Sequence, residues 1–308
     1  MDMRTLFFDQ SGRIRSGWRF LIFCAAFIVA ALLIGGAGFS IVYTIAPAID
    51  GPGPMILNGV LLLIAALVSG SLCGKYLEGV PFRALGASFS EGWLRHLVDG
   101  VLFGAATLTL AVLFAALAGG LEFETRPIDP VQLTTSLAVS LVVFAAGAAW
   151  EEALFRGYIL QTFARSGLAA VAIALTSVVF GMIHAGNPNA SRFAVINTIL
   201  AGIWFGVAYL KTRDLWFVWG MHLMWNWMQG AFFGIEVSGM TNLVTTPLLR
   251  EIDSGPAWLT GDSYGVEGGI VTTIAIVVST VVIYFLPGLK ASDEMLERTG
   301  GPGQSRER

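Results

Sequence analysis

Eight long apolar segments constrain this chain more than any other feature of its sequence. A helix needs roughly 20 mostly apolar residues to cross the hydrocarbon core of a bilayer. Of the 308 residues, 55% are hydrophobic and only 13% are charged, whereas soluble domains carry about 25% charged residues. We therefore predict an all-α, polytopic membrane bundle of eight transmembrane helices around an intramembrane polar cavity. The predicted spans are 20–45, 55–72, 98–118, 133–163, 168–184, 193–210, 215–235 and 268–286.

The basic residues between these segments predict the orientation of the chain. With the N-terminus on the inner side, 15 of the 18 Lys and Arg residues fall in inner segments. The outer loops then hold only Arg126, Arg192 and Arg250. Because Lys and Arg concentrate in cytoplasmic loops, this asymmetry favours eight spans with both termini in the cytoplasm. The protein is thus predicted to be an integral, multi-pass membrane protein in contact with lipid.

The connections between the spans suggest how the chain is divided. Residues 90–97 are predicted to form an interfacial helix, with Trp93, Leu94 and Leu97 on its apolar face and His96 away from it. The connection at 236–267 is either a lid over a cavity or an inert outer loop, and its Gly, Pro and mixed charges favour the loop. The tail is expected to be unstructured. The predicted regions are an N-terminal cytoplasmic segment (1–19), N-terminal helices (20–130), a core (131–235), an outer loop (236–267), a last transmembrane helix (268–287) and a cytoplasmic tail (288–308).

Several polar side chains lie inside the predicted spans. A charge near the bilayer centre costs several kcal/mol, so such residues need a functional or structural reason. A single intramembrane histidine is usually a packing residue, but here polar residues gather on three helices. They are Glu151, Glu152 and Arg156 in the fourth span, His184 in the fifth, and His222 and Asn226 in the seventh.

Helix geometry assigns different roles to these side chains. Glu152 and Arg156 are four residues apart, which places them on one face where they neutralise each other. Glu151 is rotated about 100° from Glu152, so its carboxylate is left for chemistry. His222 and Asn226 are also four residues apart and share a face. We predict that Glu151, the two histidines and Asn226 converge, supported by the Glu152–Arg156 pair.

The three motifs resemble those of one protein family. Glu151-Glu152-x-x-x-Arg156, Phe180-x-x-x-His184 and His222-x-x-x-Asn226 occur in the order seen in the CPBP family of intramembrane proteases. That family includes the type II CAAX prenyl endopeptidases and bacteriocin-processing or immunity proteins. The resemblance implies that 131–235 is a catalytic core in which Glu151, His184, His222 and Asn226 act on a peptide bond. The N-terminal stretch 13–19 resembles prokaryotic members, which implies a bacterial plasma membrane.

Two versions of the chemistry remain open at this stage. In the first, Glu151 and His184 activate a water molecule, and His222 and Asn226 stabilise the oxyanion. In the second, Glu151, His184 and His222 bind a divalent metal such as zinc, with water in the fourth position. The residues lack the His-x-x-x-His spacing of known zinc proteases, so the sequence slightly favours the metal-free version.

The predicted partner is a peptide or a membrane-anchored protein that serves as substrate. A net charge of −3 and the lack of a Gly-rich phosphate loop predict neither a nucleic-acid nor a nucleotide partner. Two alternatives to an enzyme stay open. The first is a catalytically silent scaffold or bacteriocin-immunity protein. The second is a proton-coupled transporter, although no inverted repeat is evident.

Overall fold

A computed structural model describes residues 6–10 and 12–299 of the chain. Eight main helices follow one another in the order of the eight predicted apolar segments. Two short strands, β1 (Leu121–Glu124) and β2 (Arg250–Asp253), pair antiparallel outside the helices. The main helices are α1 (Ser16–Ile45), α2 (Gly53–Cys73), α3 (Trp93–Leu117), α4 (Pro130–Glu152), α5 (Ala169–His184), α6 (Arg192–Thr212), α7 (Leu215–Trp227) and α8 (Ile270–Phe285).

Within the described residues, five helices are long and apolar enough to cross a membrane. They begin with α1, α2, α3, α4 and α6, and two of them continue beyond the α-helical part, to Glu78 and to Ala164. Helices α5 and α8 are apolar but have only 16 residues each. The predicted helical membrane fold is therefore confirmed, and the protein is an integral membrane protein. The number of eight transmembrane spans stays a prediction.

Local sequence signals set the starts of the helices that carry the polar residues. At α4, the Asp129 carboxylate accepts hydrogen bonds from the amides of residues 131 and 132, and Pro130 occupies the first helical position. At α6, the Ser191 hydroxyl accepts from the Ala194 amide. At α7, the Asp214 carboxylate accepts from the Trp216 amide at 2.9 Å. These side chains satisfy amides that would otherwise lack partners at a helix start.

Close backbone contact fixes the position of α7 against α3. A Cβ atom on Gly100 would lie 2.1 Å from the Phe217 carbonyl oxygen, and one on Gly104 would lie 2.2 Å from the Met221 carbonyl oxygen. Only glycine allows helices to approach so closely, and a small-x-x-x-small spacing is common at helix interfaces in membranes. Because Met221 directly precedes His222, this contact also sets the depth and rotation of the His222 side chain.

The predicted interfacial helix near 90–97 is wrong as a separate element. Helix α3 begins at Trp93 and continues to Leu117 without a break. His96 is buried, and its Nδ1 lies 2.8 Å from the fully buried Asp214 carboxylate at the start of α7. The sequence reading placed His96 on the polar side because a tertiary partner 118 residues away cannot be seen in local periodicity.

The long connection after α7 is folded rather than inert. It contains β2, a short helix at Ala257–Thr260 and two 3-10 turns, and it buries Leu259, Tyr264 and Val266. Its strand β2 pairs with β1 in the connection between α3 and α4, with Leu121 opposite Asp253. The preference for an inert loop at 236–267 is therefore wrong, since this segment packs onto the helices.

Strand β2 also holds a carboxyl group in an unfavourable setting. Burial and the neighbouring Glu236 and Asp253 carboxylates raise the pKa of Glu251 to about 8. A carboxylic acid with such a pKa retains a proton near neutral pH and then donates a hydrogen bond to a neighbouring acid. The connection after α7 therefore carries a group whose charge changes in the physiological range.

The C-terminal region differs in part from the expectation of an unstructured tail. Residues Asp293–Thr299 form a short helix, α9. Its Met295 side chain is fully buried, and the helix packs near the 3-10 turn at Phe82–Leu85. Residues 1–5, 11 and 300–308 of the predicted terminal segments lie outside the described residues.

Candidate active site

One cavity of the described bundle lies where α4, α5 and α7 meet. Its volume is about 240 Å³. Glu151 from α4, His184 from α5, and His222 and Asn226 from α7 all line it. The structure therefore brings the four predicted side chains to one cavity. The remaining wall is largely apolar and aromatic, including Trp150, Phe180, Trp204, Phe205 and Trp225.

One oxygen of Glu152 joins two helices next to this cavity. Glu152 is 1% exposed, and its Oε1 accepts a hydrogen bond from Arg156 Nη1 at 3.0 Å. The same Oε1 lies 2.9 Å from His222 Nδ1. Because a carboxylate oxygen only accepts, Nδ1 of His222 carries the hydrogen, which directs Nε2 away from Glu152. Glu152 thus fixes the tautomer and orientation of His222.

The Arg156 guanidinium is fully buried and has more than one partner. Its Nη2 donates to the Gly202 carbonyl oxygen on α6 at 3.1 Å. Its central carbon lies 5.1 Å from the ring centres of both Phe180 and Phe205. Cation–π contacts and a carbonyl acceptor lower the cost of a buried charge. Arg156 therefore ties the Glu152 carboxylate to α5 and α6.

A local change in helix type occurs at this point of the chain. Helix α4 ends at Glu152 and continues as a π-helical segment over Ala153–Leu160. π-helical turns inside α-helices are rare and occur often at functional sites. All eight residues of the segment are buried, so the wider turn places Arg156 inside the bundle rather than towards lipid.

Glu151 and Glu152 differ in their surroundings as helix geometry predicted. The Glu151 side chain is 18% exposed and lines the cavity, whereas Glu152 is not part of the cavity wall. Glu151 Oε2 lies 3.9 Å from His222 Nε2, which is too long for a hydrogen bond. Among the described residues Glu151 Oε2 has no hydrogen-bond partner although it is buried. This carboxylate is therefore available to a molecule that enters the cavity.

His184 is the last residue of α5. Its Nδ1 lies 2.8 Å from the Phe180 carbonyl oxygen one turn earlier, and the two rings are 4.5 Å apart. Because a carbonyl oxygen only accepts, Nδ1 carries the hydrogen, which leaves the Nε2 lone pair as a proton acceptor. The helix end thus presents His184 in the tautomer that a general base needs.

Sequence reasoning missed a second carboxylate in the cavity wall, Glu267. Its Oε1 accepts from Trp225 Nε1 at 3.1 Å, and its Oε2 accepts from the amide and the hydroxyl of Ser238. Trp225 also lines the cavity and connects α7 to the segment that follows it. Glu267 directly precedes an apolar segment, so nothing in its local sequence marked it.

Asn197 on α6 also lines the cavity and was not predicted. Its Nδ2 donates to the carbonyl oxygens of Glu267 and Gly269, each at 2.8 Å. A polar amide within the sixth apolar segment was the available signal for this residue. Together with Ser238 and Met240, which also line the cavity, it joins the 236–267 segment to the helices. That segment forms one wall of the site.

The metal version of the chemistry requires Glu151, His184 and His222 to meet as ligands of one ion. Within residues 6–10 and 12–299, no group of three or more His, Cys, Asp or Glu side chains is arranged to hold a metal ion. Nδ1 of each imidazole is bonded, that of His184 to a carbonyl and that of His222 to Glu152, so a metal would have to bind at Nε2, as it does in metal-bound histidines whose other nitrogen is bonded. Metal assistance by Glu151, His184 and His222 stays a prediction.

Comparison with known proteins places the site in a family context. None of the curated proteins searched matches the chain. One family model, described as type II CAAX prenyl endopeptidase Rce1-like, matches residues 133–228. The matched segment contains Glu151, Glu152, Arg156, His184, His222 and Asn226. The predicted resemblance is thus confirmed over residues 133–228, which match the Rce1-like family of type II CAAX prenyl endopeptidases.

Proposed function

We propose that this protein is an intramembrane endopeptidase that hydrolyses a peptide bond of a membrane-associated polypeptide. The observation that carries the proposal is the convergence of Glu151, His184, His222 and Asn226 on one polar cavity among apolar helices. The family match supports a CAAX protease-like peptidase. A carboxylate with an unbonded oxygen, an imidazole with a free nitrogen and an amide donor are the groups that water-mediated hydrolysis needs.

In the proposed reaction, Glu151 and His184 take a proton from a water molecule in the cavity. The oxygen of that water attacks the carbonyl carbon of the substrate and forms a tetrahedral intermediate. The C–N bond then breaks, the proton passes to the leaving nitrogen, and the products are a carboxylate and an amine. No side chain forms a covalent bond to the substrate. General base catalysis of this kind contributes about 10²- to 10⁴-fold to the rate.

His222 and Asn226 act on the oxyanion in this proposal. They are one helical turn apart on α7, so both side chains reach the same part of the cavity. Asn226 donates from its amide, and His222 donates from Nε2 when the ring is protonated. A preorganised donor lowers the barrier by about 3 to 4 kcal/mol. Glu152 and Arg156 serve as positioning residues because they act through His222.

The lining of the cavity favours an internal peptide bond as the target. Among the described residues, the cavity wall contains Glu151 and Glu267 but neither Lys nor Arg. A site for a free C-terminal carboxylate would need a cation or several donors at that end of the substrate. The aromatic wall suits apolar side chains. We therefore propose a peptide or membrane-anchored protein as substrate, without assigning a prenyl group to it.

We also propose the orientation and the location that the loop charges predict. The inner segments hold 15 of the 18 basic residues when both termini are cytoplasmic, and this follows the positive-inside rule. In that orientation the 236–267 segment covers the cavity from the outer side. The N-terminal resemblance to prokaryotic members supports a bacterial plasma membrane as the location.

The decisive experiment compares cells that carry wild-type protein with cells that carry Glu151→Gln. New N-termini in the membrane proteome are measured by mass spectrometry, and candidate peptides are then tested with purified protein in detergent. We expect cleavage by Glu151→Gln to fall by at least about 100-fold, with an unchanged melting temperature. The matched control is Glu122→Gln, which removes the same charge from an exposed position on β1.

The same variant separates the enzyme from its two alternatives. If Glu151→Gln cleaves as fast as wild type while remaining folded, the proposed mechanism is wrong. Full biological function of a variant without cleavage activity would instead support a scaffold or immunity role. Proton-dependent solute flux in liposomes, lost in Glu151→Gln, would support a transporter.

A further inference from the structure

A second cavity lies at the opposite end of the bundle from the 236–267 segment. It has a volume of about 220 Å³ and is formed where α1 begins, where the helix of α2 ends, and where α4 passes into α5. Arginines dominate its polar wall, with Arg13, Arg15, Arg19 and Arg165 among the lining residues. The proposed peptidase reaction uses none of these residues.

The interior of this cavity carries one more positive than negative charge. Arg19 Nη1 donates to Glu78 Oε2 at 2.6 Å, and Arg165 Nη2 donates to Glu78 Oε1 at 2.9 Å. Two guanidinium groups thus share one carboxylate, and all three side chains are no more than 5% exposed. A buried charge without a counter-ion is costly. Among the residues that the structure describes, the buried group of three side chains therefore lacks one anion.

Two arginines of the cavity wall, Arg19 and Arg15, have donors that are not paired with a carboxylate. Arg19 is 4% exposed, and its Nε has no hydrogen-bond partner among the described residues although it is buried. At the rim, Arg15 is exposed and donates from Nε to the Phe8 carbonyl oxygen, so its charge is not neutralised there. Arg13 forms an ion pair with Asp9 at 3.9 Å. With Asp9 and Glu78 counted, the lining has four guanidinium groups and two carboxylates.

We propose that this cavity binds a phosphate group. Guanidinium groups present several donors in a plane and match the tetrahedral oxygens of phosphate better than other side chains do. The Ser166 hydroxyl, which accepts from Arg19 Nη2 at 2.8 Å, adds a small polar group to the wall. A singly charged phosphodiester would supply the missing negative charge and accept from Arg19 Nε and Arg15.

The position of the cavity favours the headgroup of an anionic phospholipid as the source. Leu168 lines the cavity and is 41% exposed. On α1, three residues after the buried Arg19 and on the same face, Ile22 is 41% exposed. A phosphate in the cavity would place acyl chains along this apolar surface, and basic pockets between membrane helices bind lipid headgroups in this way. Inorganic phosphate offers the same kind of oxygens to the arginines but has no acyl chains to contact this apolar surface.

The test titrates purified full-length protein in detergent with short-chain phosphatidylglycerol, short-chain phosphatidylcholine or inorganic phosphate, and measures the melting temperature. We expect phosphatidylglycerol to raise the melting temperature more than phosphatidylcholine does. Arg15→Gln should weaken the apparent affinity about tenfold, since a charge-assisted hydrogen bond is lost. Arg83→Gln is the matched control, because Arg83 is exposed and lies outside the cavity.

Each outcome of this titration either identifies the source of the phosphate group or excludes the phosphate site. An equal, Arg15-dependent effect of inorganic phosphate and phosphatidylglycerol supports the phosphate site with free phosphate as its ligand. Equal effects of the two lipids, or an unchanged affinity in Arg15→Gln, overturn the proposal. Melting temperatures without ligand show whether Arg15→Gln itself folds normally, which its exposed position predicts.

Discussion

Replacing Arg156 with methionine tests the role of the buried ion pair most directly. The substitution leaves the Glu152 carboxylate, which is 1% exposed, without its guanidinium partner. It also removes the hydrogen bond that Arg156 donates to the Gly202 carbonyl oxygen on α6. Removing one member of a buried pair costs about 3 to 5 kcal/mol. At a few degrees per kcal/mol for a chain of this size, the melting temperature should fall by roughly 10 °C.

The double variant Glu152→Gln, Arg156→Met separates stability from catalysis. It removes both charges, and replacing a buried ion pair by neutral groups is often close to neutral for stability. We therefore expect the double variant to regain most of the lost melting temperature. Cleavage by the double variant should be slower than cleavage by wild type, because the neutral glutamine in place of Glu152 no longer stabilises a protonated His222 by charge.

Thermal unfolding of the purified protein in detergent, followed by cleavage of an identified peptide, measures both effects. Cleavage is compared at a temperature where each variant is folded. If Arg156→Met melts within 2 °C (about 0.5 to 1 kcal/mol) of wild type, the pair does not hold the helices as argued. If the double variant recovers full activity together with its stability, Glu152 has no role in positioning His222.

Three further predictions address other parts of the molecule. Gly104→Leu should lower both the melting temperature and cleavage, because its side chain would collide with the Met221 carbonyl; Gly36→Leu, with open space around it, should not. Asn226→Ala should reduce kcat by about 10²- to 10³-fold with an unchanged melting temperature. Burial and adjacent acids raise the pKa of Glu251 to about 8, so the folded protein holds a proton that the unfolded chain releases near pH 4.5. The melting temperature should therefore decrease as the pH rises from about 4.5 to 8. In Glu251→Gln, melting curves should no longer show that decrease.

Helix periodicity was sufficient to predict the inner part of the site. Residues four apart share a face, which gave the Glu152–Arg156 bond, and the rotation between neighbours gave the separate direction of Glu151. Hydropathy gave the order and approximate ends of the eight apolar helices. These features depend on residues within one turn or one span, and a single sequence contains that information.

Contacts between distant segments could not be predicted in this way. His96 pairs with Asp214 across 118 positions, and its polar side chain looked solvent-facing in the local pattern. Glu267 reaches the cavity only because the connection after α7 folds back over it, as the β1–β2 pairing and the Ser238 bonds show. The sequence around Arg156 did not indicate that its guanidinium donates to a carbonyl oxygen on α6. Such partners depend on the tertiary packing of the bundle.

The shared oxygen of Glu152 explains why the catalytic and the structural tests must be made together. Oε1 accepts from Arg156 and from His222 at nearly equal distances, 3.0 and 2.9 Å. The two donors compete for the same oxygen. The hydrogen bond from Arg156 therefore weakens the hydrogen bond that Glu152 accepts from His222. Loss of Arg156 should therefore strengthen the Glu152–His222 bond while it loosens the helices. If the pH optimum of cleavage shifts upwards in Arg156→Met at a temperature where the variant is folded, this electrostatic effect is separate from simple unfolding.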